Sequence, residues 1–110
     1  MNELLDHLEN GASYPFEQGE LHHVLLITYN VIRRTVLDQC DTLILTPTHF
    51  IWSKDSHTYG QLSVTKGNPS VSFRTTLEEI IKRDSVVRRH LRLISETSES
   101  IMYRLSYDSE

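Results

Sequence analysis

The sequence predicts a single α+β domain, a mainly antiparallel sheet with a β-hairpin packed against two or three helices. Three observations predict it. Apolar residues recur at helical spacing over residues 20–37, and they alternate with polar ones in short runs between residues 41 and 74 and again after residue 100. The chain has 110 residues, 38% of them hydrophobic and 24% charged, which is enough for one core and too little for two. Residues 1–19 read as a short helix with a connector and residues 20–110 as the core; no internal repeat occurs.

Taken in order, Asn2 to Glu9 form a short helix in which Leu4, Leu5 and Leu8 share a face, and Asn10-Gly11 stops it. Gly11 to Gly19 connect, with Tyr14 and Phe16 expected to dock on the core. From Glu20 to Leu37, the residues Leu21, Val24, Leu25, Thr28, Val31, Ile32, Thr35 and Val36 fall in one arc at about 100° per residue. A strand would also alternate over Leu25, Ile27, Tyr29 and Val31, and length decides for a helix. Thr42 to Thr46 is strand-like up to Pro47, and Phe50-Ile51-Trp52 is a second short strand ended by Lys54-Asp55-Ser56. Leu62 and Val64, then Lys66-Gly67-Asn68-Pro69, then Val71 and Phe73 predict a hairpin over Gln61 to Arg74. Thr75 with Glu78 and Thr76 with Glu79 form overlapping capping boxes that start a helix. That helix either continues to about Ile94, pairing Asp84 with Arg88, or breaks at Asp84-Ser85. Ser95 to Ser100 read as a loop, and Ile101, Tyr103, Leu105 and Tyr107 alternate in a final strand.

The formal charge of −4 is unevenly placed. Residues 1–60 hold eight acids against three bases, whereas Arg74 to Ile94 hold six bases and three acids. The chain is therefore no general polyanion binder, and any nucleic-acid contact has to come from one local stripe. Its first twenty residues carry five acids and no base, which suits a basic partner surface. No run of about 20 apolar residues is present to span a membrane, and the opening is acidic where a signal peptide would be basic. A single cysteine forms no internal disulfide, so a soluble, cytoplasmic setting is expected.

Catalytic and metal-binding patterns are missing from the sequence. Cys40 is flanked by Asp38 and Asp41, whose charges disfavour a thiolate. The adjacent His22 and His23 point about 100° apart on a helix and do not chelate one ion. His49 and His57 converge only across a strand turn, with no acid or cysteine at ligand spacing. No nucleophile elbow surrounds a serine, and Gly11, Gly19, Gly60 and Gly67 make no nucleotide-binding loop. Glu78 and Glu79 are explained by helix capping. The expectation is a protein without enzymatic activity, cofactor or metal.

Two binding surfaces remain. On a continuous helix, with Arg88 at 0°, Arg92 falls near 40°, Arg89 near 100° and Lys82 near 120°, a stripe suited to phosphates and guanine edges. The other surface comprises Leu26, Ile27 and Leu37, off the main arc of the 20–37 helix, together with Glu17 and Glu20 of the acidic N-terminal region.

Residues 85–96, Ser-Val-Val-Arg-Arg-His-Leu-Arg-Leu-Ile-Ser-Glu, followed by residues 100–106, resemble the recognition helix and closing strand of winged helix-turn-helix transcription regulators, and Leu77 to Ile80 is similar to their preceding helix. The resemblance covers residues 75–107 and implies Arg88, Arg89 and Arg92 facing a DNA groove. It departs from that family in a shortened turn region and in a hairpin that precedes the helices. Two expectations follow: a small regulatory protein that contacts DNA through Lys82, Arg88, Arg89 and Arg92, or a protein-interaction module or small inhibitor acting through its acidic N-terminal surface. A homodimer with the 20–37 helix near the contact is expected in either case.

Overall fold

Period-2 alternation sorts the three inner strands into a buried and an uncovered side. The computed structural model describes residues 3–10, 20–64 and 70–107. Its elements run α1 (Glu3–Asn10), α2 (Glu20–Leu37), β1 (Thr42–Leu45), β2 (His49–Lys54), β3 (His57–Ser63), α3 (Ser70–Arg83), α4 (Ser85–His90), β4 (Leu91–Glu96) and β5 (Ile101–Leu105). The strands form one antiparallel sheet in the order β3-β2-β1-β5-β4. Leu43 stands between Trp52 and Tyr103, and Leu45 between Phe50 and Ile101, and all six side chains are buried. These residues share one core with Leu4, Leu8, Val24, Leu25, Ile32, Val36, Leu77, Ile80 and Val87 of the helices. The domain is thus two layers, with helices on one face of the sheet and, among the described residues, no element on the other.

The long helix follows its sequence reading from Glu20 to Leu37. Thr28 and Thr35, buried on its inner face, donate their hydroxyls to the carbonyls of Val24 and Val31, so no polar group is stranded. The helix ends where Gln39 turns left-handed at φ 55°. Cys40 N–H then bonds the Thr35 carbonyl and Gln39 N–H that of Val36, a Schellman closure.

Four expectations are corrected. The hairpin lies earlier than residues 61–74: β2 and β3 are joined by Asp55 and Ser56, both at positive φ (54° and 68°), as a two-residue primed turn requires. Lys66-Gly67-Asn68-Pro69 lie outside the described residues, as do Tyr14 and Phe16. Residues 71 and 73 belong to α3, where Phe73, Thr76, Leu77 and Ile80 are buried at helical spacing. Second, the helix does not start at the Thr75 and Thr76 boxes; both sit inside α3, which begins at Ser70.

Third, of the two alternatives for this segment the break at Asp84-Ser85 is the one that forms, and the continuous helix to Ile94 is absent. Asp84 breaks it, capping α4 by accepting from Val86 N–H and Val87 N–H, at 3.0 and 3.1 Å. Fourth, Leu91 to Glu96, including Ser95, is an edge strand, because pairing with β5 satisfies its backbone. The final strand itself stops at Leu105, and the Tyr107 hydroxyl donates to the Cys40 carbonyl at 2.5 Å.

Candidate functional site

The uncovered face of the sheet carries its own register. Ile44 of β1 lies between Ile51 of β2 and Met102 of β5, so three aliphatic side chains form a row across the middle of the sheet. All three are half-buried, and among the described residues no second layer covers them. One row along, Thr42 lies between Ser53 and Arg104, and Arg104 stands opposite Arg92 of β4. Like charges directly opposite one another cost stability on a sheet. Among the described residues, neither Arg92 nor Arg104 is placed in an ion pair.

Between these rows and the β2–β3 turn is a hollow of about 360 Å³, whose lining includes Ile44, Met102, Thr42, Arg104, Asp41 and Asp55. The Asp41 carboxylate accepts the Asp55 N–H at 2.9 Å and fixes the turn beside the start of β1. One side of the hollow is therefore cationic and the other anionic, with aliphatic groups behind. Such a surface suits a partner with both apolar and charged groups rather than a small apolar ligand.

The four cations expected on one helix face are divided among three elements. Lys82 lies in the last turn of α3, Arg88 and Arg89 lie on α4, and Arg92 is on β4. Arg88 donates to the Lys82 carbonyl at 2.8 Å, so it also closes the end of α3. Arg88 does not pair with Asp84, as a continuous helix would have it. All four remain exposed. With only six residues, α4 spans roughly 9 Å, less than a helix laid along a major groove presents.

The α2 surface is also thinner than expected. Leu26 and Leu37 are 45% and 48% exposed, but Ile27 packs against the edge of the core. Asn30 and Arg33 are exposed on the same face of the helix between the two leucines, so the apolar points are not contiguous. Glu17 and the side chain of Glu20 lie outside the described residues.

A cluster without any sequence signal joins residues 77 positions apart. The Asp84 carboxylate meets His7 Nε2 at 2.5 Å and accepts the Tyr29 hydroxyl at 3.3 Å while its other oxygen caps α4. This links α1, α2 and α4 and leaves the carboxylate fully engaged. His90, also buried, meets the Ser106 carbonyl through Nδ1 at 2.6 Å and accepts Ser106 N–H on its own carbonyl. Cys40 is completely buried, and its thiol is pushed up to about 11, chiefly by burial and then by Asp38. His49 and His57 are at opposite ends of the β2–β3 hairpin and do not converge. Among the described residues no three metal-ligating side chains cluster, and no helix is long and apolar enough to cross a membrane.

Comparison with protein-family models, with curated proteins and with solved structures finds no match. The winged helix-turn-helix resemblance accordingly gains no support from relatives.

Proposed function

We propose that this chain is a small, non-enzymatic regulatory binding protein of the cytoplasm that works as a protein-interaction module through the uncovered face of its sheet. One observation carries this reading: a five-stranded sheet whose described helices all lie on one side, and whose other side bears an aliphatic row beside two juxtaposed arginines. The residues best suited to chemistry fit it. Asp84 is committed to a cap and Cys40 is buried as a thiol. The test is partner capture by crosslinking and mass spectrometry with the wild-type chain, Ile44→Glu and Arg104→Glu. Loss of the same crosslinked partner in both variants, with unchanged circular dichroism, is expected; retention of it in both would sink the reading.

A second reading, contact with DNA, is favoured by the exposure of Lys82, Arg88 and Arg89 around the α3–α4 junction. Since α4 is short, that contact would be to phosphates more than to bases. Duplex affinity should then fall steeply with salt, and each cation removed should lower the slope of log K against log salt by about 1. No shift of any duplex at about 50 mM salt by a folded chain would exclude it.

A further inference from the structure

We infer that the partner of the uncovered sheet face is a second copy of this chain, packed face to face about a two-fold axis that runs along β1. The inference rests on the reading of this face as the working surface and names its occupant.

The argument is one of self-complementarity. An in-plane two-fold along the central strand exchanges the β2 side of one sheet with the β5 side of the other and leaves residues of β1 facing themselves. Ile44 then meets Ile44 of the second copy, and Ile51 meets Met102, its counterpart on the opposite side of Ile44 in the register. The aliphatic row thus covers itself without a polar mismatch. The same operation carries Arg104 over Ser53, the residue paired with Thr42 on the other side, and toward Asp55 in the adjoining turn. Arg92 is carried over the β3 strand near Thr58. Among the described residues, Arg92 and Arg104 lie on the β4–β5 side of this face and the hollow's acids at the start of β1 and in the β2–β3 turn, so the axis brings Arg104 of each copy toward Asp55 of the other. Arg104, which already shares its hollow with Asp41 and Asp55 of its own chain, gains in such a pair a second carboxylate, Asp55 of the other copy, to offset the unfavourable juxtaposition with Arg92.

Neighbouring strands are roughly 4.8 Å apart and residues about 3.3 Å along each, so the face measures on the order of 20 by 17 Å. That is about half the area per partner of a standard interface, and a reversible, concentration-dependent dimer is the expected outcome. Aligned sheets pack about 10 Å apart with strands within about 30°. The same axis makes one substitution at residue 44 count twice.

Sedimentation equilibrium of the wild-type chain should give a mass rising from 12.8 kDa toward twice that value over the micromolar to millimolar range. Ile44→Glu should raise the dissociation constant at least about tenfold, and Arg104→Glu should raise it while removing most of its salt dependence. Ile44→Thr, which keeps a β-branched residue on the strand, guards against loss of folding and should weaken the dimer to a smaller extent. With Cys40 buried, Ile44→Cys should be joined to its mate by a bismaleimide of roughly 10 Å span, whereas Leu37→Cys on α2 should not. A single 12.8 kDa species at every concentration up to about 1 mM would overturn the second-copy proposal. It would leave the docking reading to the partner-capture experiment. A dimer indifferent to Ile44→Glu and joined through Leu37→Cys would place the contact on α2 and overturn the proposal equally.

Discussion

Replacing Asp84 by alanine removes three things at once. The carboxylate accepts two backbone N–H groups at the start of α4, and losing an N-cap of this kind costs about 1 kcal/mol. Its second oxygen meets His7 and Tyr29, and its side chain is only 5% exposed, so both partners lose an acceptor in a poorly solvated place. A hydrogen bond to a charged group contributes about 1.5–3 kcal/mol; with His7 30% exposed, the lower end applies. Asp84→Ala should therefore destabilise by roughly 3 kcal/mol, and the melting midpoint should fall by about 12 °C or more for a chain of this size. Asp84→Asn keeps a good cap and should cost only about 1 kcal/mol. Denaturant unfolding of both variants, combined with His7→Ala and the double variant, measures the coupling directly. A coupling energy near zero between His7 and Asp84, or an alanine cost below about 1 kcal/mol, would refute the claim that this carboxylate fastens α1 to α4.

Three more measurements address other parts of the molecule. A Cβ on Gly60 would stand 2.5 and 2.7 Å from Cε2 and Cζ2 of Trp52. Gly60→Ala should cost about 1–3 kcal/mol and change the emission of the single tryptophan; an unchanged spectrum and midpoint would contradict this packing. Gln39 holds φ 55° at the end of α2, so Gln39→Gly should raise stability by about 0.5–1 kcal/mol, checked by urea unfolding. Burial raises the Cys40 thiol from 9.0 to about 11 and the Tyr103 hydroxyl from 10.0 to about 12. The unfolded chain therefore loses these protons first, and stability should decline as pH rises through 9 to 11 and beyond; a flat profile there would contradict it.

Much of the fold can be read from local pattern, and the exceptions share a physical cause. Eighteen residues of periodic spacing identify α2 because a strand of that length would be anomalous. Residues 71 and 73 alternate over too short a run to tell a strand from the first turn of a helix, and only the burial of Thr76 beside Leu77 completes the helical stripe. Leu91, Leu93 and Ile94 suit either period, and their conformation is decided by Leu105 and Tyr103 across the sheet. The turn at Asp55-Ser56 lacks the glycine that usually announces a primed hairpin. For the site, alternation shows that Ile44 and Met102 lie opposite the core, but the row they make with Ile51 exists only once three strands are in register. Arg92 was visible as a cation and misplaced on a helix.

The strand order also dictates when the molecule can be completed. β1 is paired on one side by β2, a few residues downstream, and on the other by β5, whose residues 101–105 come more than fifty positions later. During synthesis the β1–β2–β3 meander can form as soon as it is free, yet one long side of β1 stays unpaired until the last hairpin arrives. Closing that seam requires a distant contact, which slows folding relative to a helical chain of equal length. Until then the bared backbone of Thr42 to Leu45 is the segment most open to a wrong neighbour, and a chaperone or a crowded ribosome would meet it there first.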